Sequence, residues 1–485
     1  MPFHDRQMMH VLRRAGFGAR PEEIADFAGR GLSATLDEFV NFTSVPDDVD
    51  SKIGTPGYAG TTSNGAFSPS TVINDARQRW LFRMLHGRRP LQEKMTLFWH
   101  NHFATAYSKV AGNTNALDGT RMMAAKRSEH PGRLQGQLEL FREYALGNFR
   151  DMLVEIAKDP AMLVWLDGRT NTRRQPQENF GREIMELFTM GVGFYTEPDV
   201  YAAARVFTGW NLQRIGGAND ANGYYQFQYI AGNHEPTAKE FSFPIYLNGS
   251  KTIPARSPAD GMQDGLDLID ALARHPETGR RLARKLWQFF VSETLPPDDF
   301  LVGRAAAAYQ QNNFSVAAMV RMLLFSDAFL APANHFTRHT WPAEFVIKAL
   351  KEIGHAGFSM NTALTPLVNM GQQLFEPPDV AGWDLGPNWF STGAMLARMN
   401  FAAVLTSNQR INISQDARGK GPTPEALLTM YLDRLSPADY DRGAYQDLLD
   451  YLRAGGTWTG NDAQIGIKAP GLLHLIVGSS EYQFV

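Results

Sequence analysis

The sequence predicts a mainly α-helical protein: a large multi-helix, bundle-like body with one small β-rich insertion at about residues 211–255. Three observations predict it. Apolar residues recur at helical spacing along most of the chain, as at Leu91, Met95 and Phe98. Start and stop signals bracket those stretches, such as Pro21-Glu22-Glu23 at one beginning and Gly191 with Gly193 at one end. A run of aromatic, partly alternating sequence, Tyr224, Tyr225, Phe227 and Tyr229, is confined to one interval.

In order, residues 7–14 are apolar at Met8, Met9, Val11 and Leu12, and residues 20–39 continue at near-helical spacing through Ile24, Phe27, Leu32, Leu36 and Phe39. Residues 43–70 shift to Gly, Ser, Thr, Pro and Asp and read as a long polar loop; at that length a loop is functional or mobile. Helices follow at 73–85, 91–103 and 138–146, at 148–158, from Asp159-Pro160, at 177–190, and from Thr196 to near Gly209-Trp210. In the insertion, residues 241–246 with Asn248-Gly249 read as a strand and turn. Helical texture returns at about residue 261 and runs to 485, interrupted by a Pro-, Gly- and Trp-rich loop at 375–391. An internal echo links Asn148-Phe149 and Asp159-Pro160-Ala161-Met162-Leu163 with Asn313-Phe314 and Ser326-Asp327-Ala328-Phe329-Leu330, and again with Ser479-Ser480-Glu481-Tyr482. Each copy reads as an apolar helix stopped by a Ser or Asp turn that docks an aromatic ring or Met; the plain alternative is that amphipathic helices look alike, and no solenoid follows from it.

Composition excludes several functions. With no Cys among 485 residues there is no disulfide, thiolate metal site or cysteine nucleophile, so a metal would be held by His, Asp and Glu. A net charge of -3, with basic residues scattered among acids, gives no stripe for nucleic acid. An apolar share of 44% supplies an ample core. No segment reaches the ~20 apolar residues of a membrane span. The first residues lack a secretory pattern, which makes cytoplasmic the default compartment, with export alongside a partner the other route. No phosphate-binding loop, dinucleotide fingerprint, H-E-x-x-H or G-x-S-x-G occurs.

Four clusters carry chemistry. In Trp99-His100-Asn101-His102-Phe103 the histidines lie about 200° apart if helical, so they share a metal only if the helix ends there. The plain alternative is a core histidine bonded to backbone. On the 177–190 helix, Asn179, Glu183 and Glu186 line one flank of the apolar face. Paired carboxylates suit acid–base catalysis or a divalent metal, and equally a salt-bridged boundary with Arg173, Arg174, Arg182 or Arg205. The preceding loop offers Asp167, Arg169 and Arg173 to a polar ligand. His234-Glu235 in the insertion, and Asp379 with Trp383 in the 375–391 loop, are further candidates, the last as pocket walls.

The motifs His10-Val11-Leu12-Arg13-Arg14-Ala15-Gly16-Phe17-Gly18, Leu97-Phe98-Trp99-His100-Asn101-His102-Phe103, Trp165-Leu166-Asp167-Gly168, Glu178-Asn179-Phe180, Arg205-Val206-Phe207-Thr208-Gly209-Trp210, Lys285-Leu286-Trp287 and Glu376-Pro377-Pro378-Asp379-Val380-Ala381-Gly382-Trp383 span nearly the whole chain. Together they resemble a bacterial family known as domain of unknown function 1800. The resemblance implies one family-length helical unit over 1–485 and no established reaction. Many relatives look exported, and their genes often neighbour a second family, domain of unknown function 1501, which resembles alkaline-phosphatase-like hydrolases; this chain departs in lacking a signal. Asn233-His234-Glu235-Pro236 stands where relatives tend to carry His-Asp.

Two functions follow as expectations. The first is a metal-assisted or carboxylate-driven hydrolase on a polar, glycan-like substrate. Glu183, Glu186, His102 and Asp379 would be catalytic; Asp167, Arg169, Arg173, Asn179 and Trp383 would bind substrate. His100, His102, Glu183 and His234 would hold a divalent metal. The second is a non-catalytic partner or assembly protein for the hydrolase-like neighbour, with the same motifs serving as buried polar networks and residues 43–70 and 211–255 as partner surfaces.

Overall fold

The computed structural model describes residues 3–217, 220–408, 410–435 and 440–485. Among these residues it has 24 α-helices and two small antiparallel sheets. One sheet pairs Trp210–Ile215 with Tyr224–Tyr229, Trp210 opposite Tyr229; the other pairs Lys239–Glu240 with Thr252–Ile253. The protein is mainly α with a small β insertion, as its periodicities predict. No helix among the described residues is long and apolar enough to cross a membrane.

The centre of the body is the Pro342–Ile353 helix, all 12 of whose residues are buried. It carries Glu344, Lys348, Lys351 and Glu352 into that interior, where a charge without a partner is costly. Partners converge from distant sequence. Glu344 is bound by Lys94 from the Pro90–His102 helix and by Arg338, whose Nη1 donates at 2.7 Å, while the Trp341 N–H caps it at 2.9 Å. Glu352 takes Arg13 Nε at 2.8 Å from the Phe3–Arg14 helix and the Tyr482 hydroxyl at 2.7 Å. Lys348 donates to the carbonyls of Tyr482 at 2.7 Å and Phe484 at 3.2 Å. Residues 483–485 pair with 338–340 through Thr340 N to Gln483 O and Val485 N to Arg338 O.

Local departures from the sequence pattern have local causes. The 20–39 stretch is two helices, Pro21–Arg30 and Leu32–Val40, because Gly31 between them takes φ +85°. Helices Tyr107–Asn113 and Ala116–Ala124 lie where no periodicity signals them. The helix expected to reach residue 190 stops at Glu186: Phe188 N turns back to Glu183 O, and the Thr189 hydroxyl takes the Ile184 carbonyl. Residues 241–246 are not a strand; the pairing falls on either side of them, although the Asn248-Gly249 turn forms as expected.

The echoed segments are real packing units. Asp159 and Ser326 cap the short Pro160–Trp165 and Asp327–Leu330 helices, and Met162, Phe329 and Tyr482 are buried at equivalent points. The first two units join at their starts, where Phe149 N donates to Phe314 O and Val316 N to Gly147 O.

The 43–70 loop is pinned. Arg83 grips both oxygens of Asp50 at 2.7–2.8 Å, Arg142 reaches Asp47 at 3.1 Å, and Ala59 N donates to His86. Glu344→Ala is expected to cost about 3–5 kcal/mol, because it strands Lys94 and Arg338 in the interior. Chemical denaturation of the variant and the parent measures the loss directly.

Candidate functional site

His100 and His102 close the Pro90–His102 helix and point to different sides, as two-residue helical spacing requires. His100 Nε2 accepts the Phe375 N–H at 3.0 Å. Burial, reinforced by Arg77, lowers it to about 3, so it is a neutral acceptor. The neighbouring Asn101 holds the same loop: its Oδ1 accepts the Trp383 N–H at 2.7 Å and its Nδ2 donates to the Trp383 carbonyl at 3.3 Å. Gly382 is required here, since its φ is +89° and a Cβ would stand 2.3 Å from Asn101 Oδ1. The two motifs are therefore halves of one latch. Trp383 is buried with its ring 5.4 Å from His100, and with Trp389 it borders a cavity of about 280 Å³. Asp379 is exposed and accepts the Ala381 N–H at 2.8 Å, a self-capped turn.

On the opposite side His102 Nε2–H donates to the Phe188 carbonyl at 3.1 Å, and Nδ1 accepts from Lys285 at 3.0 Å. Burial, followed by Lys285 and Arg281, holds it well below the ordinary imidazole range. Lys285, which sequence reasoning did not single out as a site residue, is lowered to about 7 by burial and Arg281. Its presence in the Lys285-Leu286-Trp287 motif was the available signal.

The Glu178–Glu186 helix gathers the predicted polar flank. Asn179 Nδ2 donates to Asp167 Oδ2 at 3.0 Å, and Lys109 lies 3.3 Å from the same oxygen. Arg169 is turned to Asn113 Oδ1 at 2.6 Å, while the Arg173 side chain is exposed and its N–H binds Asn233 O. Glu186 accepts the Tyr195 hydroxyl. Arg182 pairs with Glu197 at 2.8 Å, leaving Glu183 half-buried, with no hydrogen bond to its carboxylate among the described residues. Burial and then the Glu186 charge raise Glu183 to about 6.

His234 lies apart, fully buried beneath the β insertion. Nδ1 donates to the Thr208 carbonyl at 3.2 Å, and Nε2 is 3.3 Å from Asp264 Oδ2. Asp264 is also bound by Lys239 at 2.6 Å and by Arg256, and Glu235 by Arg205 at 2.8 Å. A Cβ on Gly261 would meet the His234 ring at 2.1 Å, so this imidazole packs flat on backbone. Among the described residues no three His, Asp or Glu side chains are grouped to hold a metal ion. His100, His102 and His234 occupy separate neighbourhoods; Asp167, Asn179, Glu183 and Glu186 share one.

A cavity of about 790 Å³ lies elsewhere, between the turn at 18–20, the 43–58 segment and Lys351. Several of its charged groups pair with one another, as in Arg30 with Asp26 and Glu38, and Arg20 with Glu23.

Fold and motifs together define a helical protein whose signature polar residues close its own loops onto its core. The family model described as protein of unknown function (DUF1800) matches residues 10–484, and the chain belongs to that family. No curated protein and no solved structure matches it.

Glu183 supplies a signed pH test. Its folded pKa is raised, so ionising it costs stability as pH climbs from about 4.5 to about 6, and the cost is constant above that. Glu183→Gln should therefore match the parent at pH 4 and gain about 1 kcal/mol at pH 7.5, after allowance for solvent screening. Paired melting curves across that range check it.

Proposed function

We propose that the protein is a non-catalytic assembly partner for a hydrolase-like neighbour of the 1501 type. The observation carrying this reading is that His100, His102 and His234 are sealed in the core and engaged with backbone groups. Histidines so placed specify packing and are withheld from substrate. The contact surface on this reading is the outer side of the Thr392–Ser407 and Asp462–Gly478 helices. Both are apolar around their circumference, and Leu396 (58% exposed) and Ile467 (72% exposed) face solvent with Met399 and Val404. Leu396→Glu with Val404→Glu should abolish co-elution with the co-expressed neighbour while leaving the melting temperature unchanged. Absence of a complex between the parent proteins at micromolar concentration would sink the reading.

A second reading rests on Glu183. A carboxyl raised to about 6, beside Glu186 and the Asp167–Asn179 pair, has the properties of a general acid or base for hydrolysis of a polar, glycan-like substrate. A metal-assisted version would need water or substrate to complete the ligand set around Glu183 and Glu186. On this reading, hydrolysis of nitrophenyl glycosides falls at least about 100-fold in Glu183→Gln. Equal rates in the two proteins would remove Glu183 from the chemistry.

A further inference from the structure

A second cavity, about 440 Å³, opens between the β hairpin and the helices at 137–160. Its size falls within the roughly 300–1,000 Å³ of small-ligand sites. Tyr225 and Phe227 line it from one strand, two residues apart and so on one face, about 7 Å from each other. Tyr144 lines it from the helical side. Trp210 packs edge-on against Phe227 at 5.3 Å and fixes that ring.

Charged and polar groups share the lining with these rings. His130 Nδ1 accepts the N–H groups of Gly132 at 3.0 Å and Leu134 at 3.4 Å, so the proton sits on Nε2, which is a donor. Burial, then Arg121, lowers the ring to about 4, so it is a neutral donor. Gln135 Nε2 is buried with no hydrogen-bond partner among the described residues. Asp159, 5% exposed, has one oxygen committed to Gln137 Nε2 at 2.7 Å and Met162 N at 3.0 Å. Among the described residues no cation pairs with it, and burial pushes it up to about 7. Of the basic groups in the wall, Arg127 pairs with Glu143 at 3.1 Å, and Arg121 donates to the carbonyls of Gly223 at 2.8 Å and Ala221 at 2.7 Å. Aromatic rings beside neutral donors and a carboxyl acceptor, with the basic Arg121, Arg127 and Lys158 set against the acidic Glu143, Glu155 and Asp159, suit a hydroxyl-rich ring better than a phosphate or an acidic peptide.

We propose that this cavity binds a neutral saccharide, its ring stacked on Tyr225 and Phe227 and its hydroxyls bonded to His130, Gln135 and Asp159. The site is distinct from the Glu183 flank and depends on neither functional reading above.

Calorimetric titration with maltotriose and with tri-N-acetylchitotriose tests it on the full chain. At least one should bind saturably, with a Kd near or below about 1 mM. Tyr225→Ala should weaken that binding about 3- to 10-fold. Gln135→Ala and Asp159→Asn, which retains an N-cap acceptor, should each weaken it as well, and they carry the test if Tyr225→Ala disturbs the hairpin. Glu183→Gln should bind like the parent, which separates this site from the hydrolase reading. No saturation with either sugar at about 10 mM, or unchanged affinity in both Gln135→Ala and Asp159→Asn, would overturn the proposal.

Discussion

Four charged side chains on one wholly buried helix set the terms for the rest of the protein. Residues 342–353 bring Glu344, Lys348, Lys351 and Glu352 out of water, and removing an ion from water without a partner costs several kcal/mol. The compensating groups are not neighbours in sequence. Lys94 comes from one helix, Arg13 from the first, and Tyr482 and Phe484 from the last residues described. Their hydrogen bonds fix how helices far apart in the chain approach each other, which nonspecific apolar contact does not do.

The motif residues obey the same requirement at the level of the backbone. Irregular segments cannot satisfy their own N–H and C=O groups, so side chains must. Asn101 suits its place because an amide offers one acceptor and one donor side by side, matching the N–H and C=O of Trp383. Asn171 does the same between Gln177 N and Ala204 O. His100 receives a backbone N–H and His102 gives one proton to a carbonyl, two opposite roles for one residue type in one motif. In His100, Asn101, His102 and Asn171 the polar groups fasten irregular backbone to the core.

Much of this fold was legible in the sequence, because helices with a buried face leave a 3.6-residue pattern. The stretches at 73–85 and 91–103 match the helices Ile73–His86 and Pro90–His102 closely, and the divergence of His100 from His102 followed from spacing alone. What escaped depends on partners remote in sequence. The 177–190 helix was overrun because its stop comes from a turn closing on its own carbonyls and from Arg281 and His102 reaching Leu187 and Phe188. At the candidate site, the flank of Asn179, Glu183 and Glu186 was visible as one helical face, whereas Lys285 beside His102 and Tyr195 beside Glu186 were not. Asp159 reads locally as a helix cap, and only the fold sets it against the aromatic face of the hairpin.

The clasp on the central helix also dictates when the chain can finish folding during synthesis. Lys348 and Glu352 lack their full set of partners until residue 484 has left the ribosome, more than 130 residues after them. Until then two buried-to-be charges keep that helix hydrated and its apolar neighbours exposed. A nascent chain of this design keeps apolar surface exposed while residues 353–484 are made, the condition that favours aggregation.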